Sequence, residues 1–244
     1  MLCEPPRDIH GAANLDQVVG QRQDVQMSPV GPRHLILRAT KESTDQCFFL
    51  RTIQTMAMLD VSALQMGDVV SSGKGAKSVN LTQDGSQALF TLDPMEIAYE
   101  PSAFQDQEST RVNIVFRPSP EIEEFLDSID EWVMKEVAAN SVKLFGKARS
   151  VDSLKDSYTP ILKKSDKWPS QFKAKMNLQE PSKVRIWDAD ACLREPPQAW
   201  QGCVARPKLR LKSIYLMGTS FGPVLELTDI QIIQEASEGS ACPF

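Results

Sequence analysis

The chain has 244 residues and a mass of 27.2 kDa, with 41% hydrophobic and 24% charged residues and a formal net charge of −5. This length can bury the core of one large domain or two small ones, and the near-average composition excludes a wholly disordered, collagen-like or disulfide-scaffold protein. A pI of about 5.2 argues by itself against nucleic acid as a partner, because phosphate binding needs clustered lysine and arginine.

The charge is unevenly distributed along the chain. Residues 84–131 carry 2 basic and 12 acidic side chains, residues 132–212 carry 17 basic and 8 acidic ones, and residues 213–244 carry 4 acidic and no basic ones. Two acidic blocks therefore flank a basic block. This asymmetry indicates either polyanion binding or an acidic tail that competes for the basic surface, while chance clustering on a solvated surface stays an alternative.

The cysteine pattern and the N-terminal residues exclude several classes of protein. The five cysteines are scattered without a Cys-x-x-Cys pair, and His10 and His34 are the only histidines, so we expect no metal site. The first residues lack a cationic stretch followed by an apolar run, which argues against a secretory signal. No stretch reaches the roughly 20 apolar residues that span a bilayer. We expect a soluble intracellular protein without a cofactor.

The predicted elements begin with an irregular N-terminal extension over residues 1–32, which are rich in proline, glycine, glutamine and aspartate. Strand-like alternation and β-branched or aromatic residues follow. The predicted strands before the helix cover residues 34–38, 47–55, 87–92 and 111–116, with a turn or flexible loop at 71–75.

The strongest helix signal begins at Ser119. Ser119 is a predicted N-cap and Pro120 occupies the first helical position, and three glutamates in the first turn complement the helix dipole. Apolar residues recur at steps of three and four from Ile122 to Val137. The pattern predicts a helix over about 119–145 that ends near residue 140 or continues to 145.

Short strands dominate the rest of the chain. The predicted elements after the helix are a basic loop at 161–169, strands at 172–176, 184–187, 208–217 and 225–233, and a flexible small-residue tail at 235–244. Many short strands around one helix, without βαβ alternation, predict a mainly β (α+β) fold or a small β-barrel.

Three motifs suggest enzymatic or metal chemistry but do not carry it. Gly218-Thr-Ser220-Phe-Gly222 matches the nucleophile elbow of serine hydrolases, but no histidine follows residue 34 and a strand follows the motif, so a β-turn is the better interpretation. The glycines at 67–75 have the wrong spacing for a P-loop. Asp188 and Asp190 are suited to acid–base or metal chemistry, but a solvated turn explains them better. We therefore expect no enzyme.

Basic and aromatic residues alternate at strand spacing in the basic block. Arg206, Lys208, Arg210 and Lys212 occupy every second position, so in a strand their side chains share one face. Like charges on one face repel, and a fold tolerates this more readily if a polyanion neutralises them. Two explanations stay open: single-strand binding by cations and stacking aromatics, or an edge strand protected by lysines. The candidate nucleic-acid contacts are Lys163, Lys164, Lys167, Trp168, Lys173, Lys175, Arg185, Trp187, Arg206, Lys208, Arg210, Lys212 and Tyr215.

Several motifs together resemble one protein family. They are Thr52-Ile-Gln-Thr-Met-Ala-Met, Val112-Asn-Ile-Val-Phe, Ser157-Tyr-Thr-Pro-Ile-Leu-Lys and Leu211-Lys-Ser-Ile-Tyr-Leu-Met. Their order across residues 35–234 resembles the single-stranded DNA-binding proteins of nucleocytoplasmic large DNA viruses, relatives of the phage-type replication proteins. The resemblance implies an OB-fold-like barrel of five or more strands with one inserted helix over 33–234. It also implies non-enzymatic, sequence-independent binding of single-stranded DNA in replication, recombination or repair.

The resemblance also implies a role for the C-terminal tail. In the family an acidic tail with a terminal aromatic residue occupies the DNA groove and recruits replication proteins, and the matching residues here are Glu235, Glu238 and Phe244. A viral-type protein of this kind would work in the nucleus or at a cytoplasmic viral replication site, and a homo-oligomer stays open. The alternative function is a structural or protein-interaction module that keeps an OB-like fold without binding nucleic acid.

Overall fold

A computed structural model describes residues 59–71, 76–103 and 110–236. The N-terminal extension at 1–32, the strands expected at 34–38 and 47–55 and the tail from residue 237 lie outside the described residues, as does most of the loop at 71–75. None of the helices within the described ranges is both long and apolar enough to cross a membrane.

The described chain contains mostly strands. The three α-helices are α1 (Pro120–Ala139), α2 (Ser141–Phe145) and α3 (Val151–Leu154), with 3₁₀ turns at Val61–Ala63 and Lys155–Ser157. The strands are β1 (Leu64–Ser71), β2 (Lys77–Gln83), β3 (Ser86–Gln87), β4 (Leu89–Thr91), β5 (Met95–Ile97), β6 (Ser102–Ala103), β7 (Arg111–Arg117), β8 (Leu162–Lys163), β9 (Gln171–Asn177), β10 (Arg185–Trp187), β11 (Val204–Met217) and β12 (Ser220–Gln234).

All these strands belong to one sheet with the main order β1-β2-β11-β5-β7-β9-β12-β10. An additional antiparallel pairing joins β11 to β12, so that β11, β5, β7, β9 and β12 follow one another around a partial ring. The predicted mainly β fold with one inserted helix is therefore confirmed. The expected barrel is seen as a partial ring, and the pairing of the 14-residue β11 with β2 continues the sheet from this ring into β1.

Helix α1 follows its sequence signals closely at its start. Ser119 is the N-cap in an extended conformation and Pro120 is the first helical residue. The buried residues from Ile122 to Val137 recur on one face and join the hydrophobic core. At the other end, Asn140 Nδ2 donates to the carbonyl of Glu136 at 2.9 Å, and the separate helix α2 begins at the next residue. The predicted segment up to residue 145 is thus two helices.

The core lies inside the ring and under α1. Phe90, Phe116, Phe172 and Phe221 are fully buried, and the rings of Phe116 and Phe172 stack with centroids 5.3 Å apart. Because side chains alternate along a strand, this inward packing turns the intervening polar residues of β9 and β11 to the outer face.

The Gly218–Gly222 segment is the turn of the β11–β12 hairpin. Met217 pairs with Ser220, which leaves Gly218 and Thr219 as a two-residue loop. Gly218 has a φ of +59°, as the first loop position of a type II′ turn requires. The predicted β-turn is confirmed, and the strand–turn–strand geometry differs from the strand–turn–helix of a nucleophile elbow.

Gly222 lies where two backbone segments approach closely. A Cβ at this position would lie 2.4 Å from the carbonyl oxygen of Thr159 and 3.2 Å from the Tyr215 ring. Because the first contact is backbone, Gly222→Ala is expected to lower the free energy of unfolding by about 2 kcal/mol, within the cost of overpacking. Urea denaturation measures the change. Ser220→Ala, two residues away and exposed, is the control, with a change under about 0.5 kcal/mol; equal stabilities of the two variants would contradict the close approach.

Candidate nucleic-acid interface

The basic residues of β11 share one face, as their spacing predicts. Arg206, Lys208, Arg210 and Lys212 are partly exposed, while the residues between them are buried. Strand β11 pairs with β12 on one side and with β2, β4 and β5 on the other, and β9 pairs with β7, β8 and β12. Both strands are interior strands of the sheet. The alternative that their lysines protect a sheet edge is therefore wrong.

Strand register aligns the candidate residues in rows across the sheet. One row joins Trp187, Gln231 and Arg206 across β10, β12 and β11. A second joins Arg185, Asp229 and Lys208 across the same strands.

A third row joins Lys175, Glu226 and Arg210 across β9, β12 and β11. Because neighbouring strands lie about 4.8 Å apart, the three rows bring residues that are distant in sequence into one continuous surface.

A β-bulge in β12 decides which acidic residues join this surface. Lys208 pairs with Asp229 while Leu209 pairs with Leu227, so Thr228 is the extra residue on β12. The bulge shifts the alternation by one position. It thereby places both Glu226 and Asp229 beside the cations, although their spacing of three residues would put them on opposite faces of a regular strand.

Glu226 lies at the centre of a cluster of cations. Its side chain is only 2% exposed and accepts from Lys212 Nζ at 3.0 Å, Arg111 Nη2 at 3.2 Å and Asn177 Nδ2 at 3.0 Å, and it is also paired with Arg210. Burial by itself raises the pKa of Glu226, but the hydrogen bonds from Asn177, Arg210 and Lys212 outweigh it and hold the pKa at about 2. The carboxylate is therefore charged under all ordinary conditions.

Asp229 is a second carboxylate among the cations, in the row that also contains Arg185 and Lys208. Its carboxylate pairs with Arg185 Nε at 2.7 Å and accepts from Trp187 Nε1 at 3.1 Å, and the Arg185 guanidinium lies 5.8 Å from the Trp187 ring centroid. The protein thus neutralises part of its own positive charge. Glu226 and Asp229 relieve part of the repulsion among the cations of β11 and its neighbours.

Cations nevertheless outnumber carboxylates on this surface. We call it the cationic face, and it comprises Arg111, Lys173, Lys175, Arg185, Trp187, Arg206, Lys208, Arg210 and Lys212 with the carboxylates Glu226 and Asp229. Among the described residues, no carboxylate forms an ion pair with Lys173, Lys175 or Lys208. Desolvation and the neighbouring charges of Arg111 and Lys212 lower the pKa of Lys175. The face therefore retains a positive excess.

The remaining candidates lie around this face. Lys163 pairs with Gln171 across β8 and β9, and Lys167 and Trp168 follow in an exposed loop. Lys164 turns toward α1, where its Nζ lies 2.6 Å from Asp127 Oδ2.

Two candidates lie away from that loop. Tyr215 packs over Gly222 near the turn of the hairpin. Glu235 is ion-paired with Arg194, while Glu238 and Phe244 lie outside the described residues.

Sequence reasoning missed three residues that the structure places at or beside the cationic face. Arg111 lies at the start of the predicted strand RVNIVF, which is β7 in the structure and whose alternation puts Arg111 on the outer face. Glu226 stands between leucines in a buried strand, and a charge in such a position requires partners. Tyr99 lies in an irregular segment without a sequence pattern that would indicate a site. Its hydroxyl nevertheless lies 3.0 Å from Gln171 Nε2.

Asp188, which suggested acid–base or metal chemistry in the sequence, lies in a turn. No group of three or more histidine, cysteine, aspartate or glutamate side chains in the described ranges converges to hold a metal ion. Asp188 Oδ1 accepts from the backbone N–H of Cys192 at 2.8 Å, and the Ala191 N–H donates to the Asp188 carbonyl, which confirms the predicted turn.

Asp130 fastens the segment before the basic loop to helix α1. Its buried carboxylate accepts from the Tyr158 hydroxyl and, at 3.0 Å, from the Ile161 N–H. Burial raises the pKa of Asp130 to about 6, although the two hydrogen bonds act in the opposite direction and lower it. The segment leading into Lys163 and Trp168 is thus anchored on an ionisable group.

This raised pKa predicts an unusual pH dependence of stability. The native state takes up the proton of Asp130 at a higher pH than the unfolded chain, whose value is near 3.8. Stability from this group is therefore highest below about pH 4 and falls by about 2–3 kcal/mol as the pH rises through about 6. Asp130→Asn, which keeps an acceptor oxygen, should remove this component. Denaturation at a series of pH values tests it, and identical pH profiles for the two proteins would contradict it.

The matches to known proteins were found among solved structures. No protein-family model and no curated protein sequence matches the chain. A single-stranded DNA-binding protein from bacteriophage Enc34, solved with single-stranded DNA, aligns at 11% identity and a TM-score of 0.44 over 65% of this chain and 92% of that one. A C-terminal truncation of the Enc34 protein aligns at 10% identity and 0.43 over 72% and 98%.

Bacteriophage T7 gp2.5, also a single-stranded DNA-binding protein, aligns at 16% identity and a TM-score of 0.45 over 63% of this chain and 90% of that one. The chain is thus similar in structure to phage single-stranded DNA-binding proteins, as the sequence resemblance implies. The narrower resemblance to the proteins of large DNA viruses stays a prediction. At these identities and TM-scores the likeness carries no conclusion about this chain, and its function is argued from its own side chains.

Proposed function

We propose that the chain binds single-stranded DNA without sequence preference and catalyses no reaction. The observation that carries the proposal is the positive excess of the cationic face on interior strands. Interior strands need no lysines against edge pairing, and two internal carboxylates do not balance the eight cations of the face. Clustered cations gain free energy when they bind phosphates and release counterions.

Aromatic side chains within and beside the cationic face favour a single strand as the ligand. Trp187 lies beside Arg185 within the face, and Trp168 is 72% exposed in the basic loop. Unpaired bases stack on such rings regardless of base identity, at roughly 1–3 kcal/mol per base. In a duplex the bases are already stacked on one another. We therefore assign the candidate residues of β8 to β11 to phosphate and base contacts.

A protein of this kind would serve DNA replication, recombination or repair, in the nucleus or at a cytoplasmic viral replication site. The tail from residue 237, with Glu238 and Phe244, would contact replication proteins, as the sequence resemblance implies. Glu235 is less available for such a contact because it is paired with Arg194.

Titration of a fluorescent oligo-dT and of a duplex of equal length tests the proposal. We expect micromolar or tighter binding of the single strand at low salt, weaker binding of the duplex, and a loss of about 100-fold in affinity between 50 and 200 mM salt if about five phosphates are contacted. Absence of binding at micromolar protein would favour the structural or protein-interaction module. Equal affinity for the two DNAs would overturn the single-strand assignment.

A further inference from the structure

A cleft with two aromatic rings lies at the end of the cationic face. It has a volume of about 380 Å³ and is lined by Tyr99, Lys163, Ser165, Trp168, Pro169 and Gln171. Tyr99 is 48% and Trp168 is 72% exposed. Large aromatic side chains are seldom left this open to water, because their burial is strongly favourable. Two of them beside one cleft indicate a site that a flat apolar ligand covers.

Contacts with neighbouring residues restrict the side chains and backbone that line the cleft. The Tyr99 hydroxyl and Gln171 Nε2 are 3.0 Å apart, which ties the ring to strand β9. Lys163 is the cross-strand partner of Gln171 in the β8–β9 pair. Trp168 precedes Pro169, and a following proline restricts its backbone. The Tyr99 ring and the Lys163 side chain are therefore attached to the sheet, so that a ligand binds them with a smaller loss of conformational entropy.

The cleft continues the line of cations on β9. Gln171, Lys173 and Lys175 alternate with buried residues and so point to the same side of the strand. A strand of phosphates that follows Lys175 and Lys173 along β9 arrives next at Gln171 and Lys163. Its bases then reach the two rings.

We propose that this cleft takes one unpaired nucleobase of the bound DNA, stacked against Trp168 and Tyr99, with the adjoining phosphate on Lys163. The inference rests on the proposed function and names one contact within it. A flat ring with π faces fits the aromatic pair, and the neighbouring negative charge fits the lysine. A base inside a duplex has its faces covered by its neighbours and cannot enter. The cleft thus contributes to the preference for single strands.

The test pairs a protein change with a DNA change. Trp168→Ala should weaken binding of oligo-dT by about 5- to 100-fold, the effect of losing one stacked base, and leave the salt dependence unchanged because no charge is removed. On an oligonucleotide with abasic positions throughout, Trp168→Ala and the wild type should bind alike. Trp168→Phe, which keeps an aromatic face, should retain most of the affinity for oligo-dT.

Two further variants refine the result. Tyr99→Phe keeps the ring and should bind better than Tyr99→Ala. Val142→Ala removes another exposed apolar side chain, on helix α2 and outside the cleft, and should bind like the wild type.

The possible outcomes distinguish the cleft assignment from the proposed function. If the wild type binds oligo-dT and Trp168→Ala binds it equally well, the cleft assignment is wrong while the proposed function stands. An equal loss on oligo-dT and abasic DNA would show that Trp168 contacts no base and would likewise overturn the cleft. Failure of the wild type to bind either oligonucleotide would overturn both proposals.

Discussion

Replacing Lys173 and Lys208 together by alanine is expected to weaken oligo-dT binding by about 25-fold at about 0.1 M salt. Each phosphate contact to a single strand contributes about 0.7 to the slope of log K against log salt, so the loss of two contacts lowers the slope by about 1.4. Both lysines lie on the cationic face, and neither forms an ion pair with a described residue. Fluorescence anisotropy over a series of salt concentrations measures affinity and slope together.

A matched double variant distinguishes an effect of the cationic face on DNA affinity from an effect of net charge. Lys135→Ala with Lys147→Ala removes the same charge from exposed positions in helix α1 and after helix α2. Its effect should be less than about twofold, because salt screens exposed charges beyond roughly 10 Å. If the Lys173/Lys208 variant keeps the wild-type affinity and slope, or if both double variants lose affinity equally, the cationic face is not the binding surface.

Glu226→Gln is expected to lower stability and to tighten DNA binding at the same time. The substitution keeps the shape of the side chain but leaves Arg111, Arg210 and Lys212 around a neutral group. Breaking a buried ion pair costs about 3–5 kcal/mol, and the partial exposure of these three cations reduces the expected loss to about 2 kcal/mol. The released donors can then turn to a phosphate, which should steepen the salt slope by about 0.7.

Urea denaturation and oligo-dT titration of the same preparation measure the two effects of Glu226→Gln. Glu96→Gln is the control, because Glu96 forms a more exposed pair with Arg117 and should change stability by less than about 1 kcal/mol. A Glu226→Gln protein that is less stable but binds DNA with unchanged affinity and slope would show that Glu226 does not compete with phosphate.

The buried carboxylates of Glu226 and Asp130 should act in opposite directions on acid stability. The pKa of Glu226 is lowered to about 2 from an ordinary value of 4.5, so its stabilisation is complete above about pH 4.5 and is lost as the pH falls toward 2. The pKa of Asp130 is raised, so its contribution grows as the pH falls from about 6 to 4. The wild type is therefore expected to be comparatively stable near pH 4 and to unfold steeply below it.

Helix α1 shows how much can be predicted where structure is local. Its N-cap, its first-turn proline and its buried face follow from residues within one or two turns of each other, and the structure reproduces them. Its far end was predicted with two alternatives, near residue 140 or at residue 145, and the helix ends at Ala139. At the break, the Asn140 side chain donates to the carbonyl of Glu136, a contact that apolar spacing alone does not indicate.

From the sequence alone, the basic residues of β9 and β11 are expected to line one side of each strand, because alternation along a strand is a property of the backbone. The three-dimensional fold makes these strands interior, sets Glu226 and Asp229 among the cations through the bulge at Thr228, and brings Tyr99 to Gln171. These features depend on strand order and register. Order and register are set by packing between segments far apart in the chain, and no local pattern encodes them.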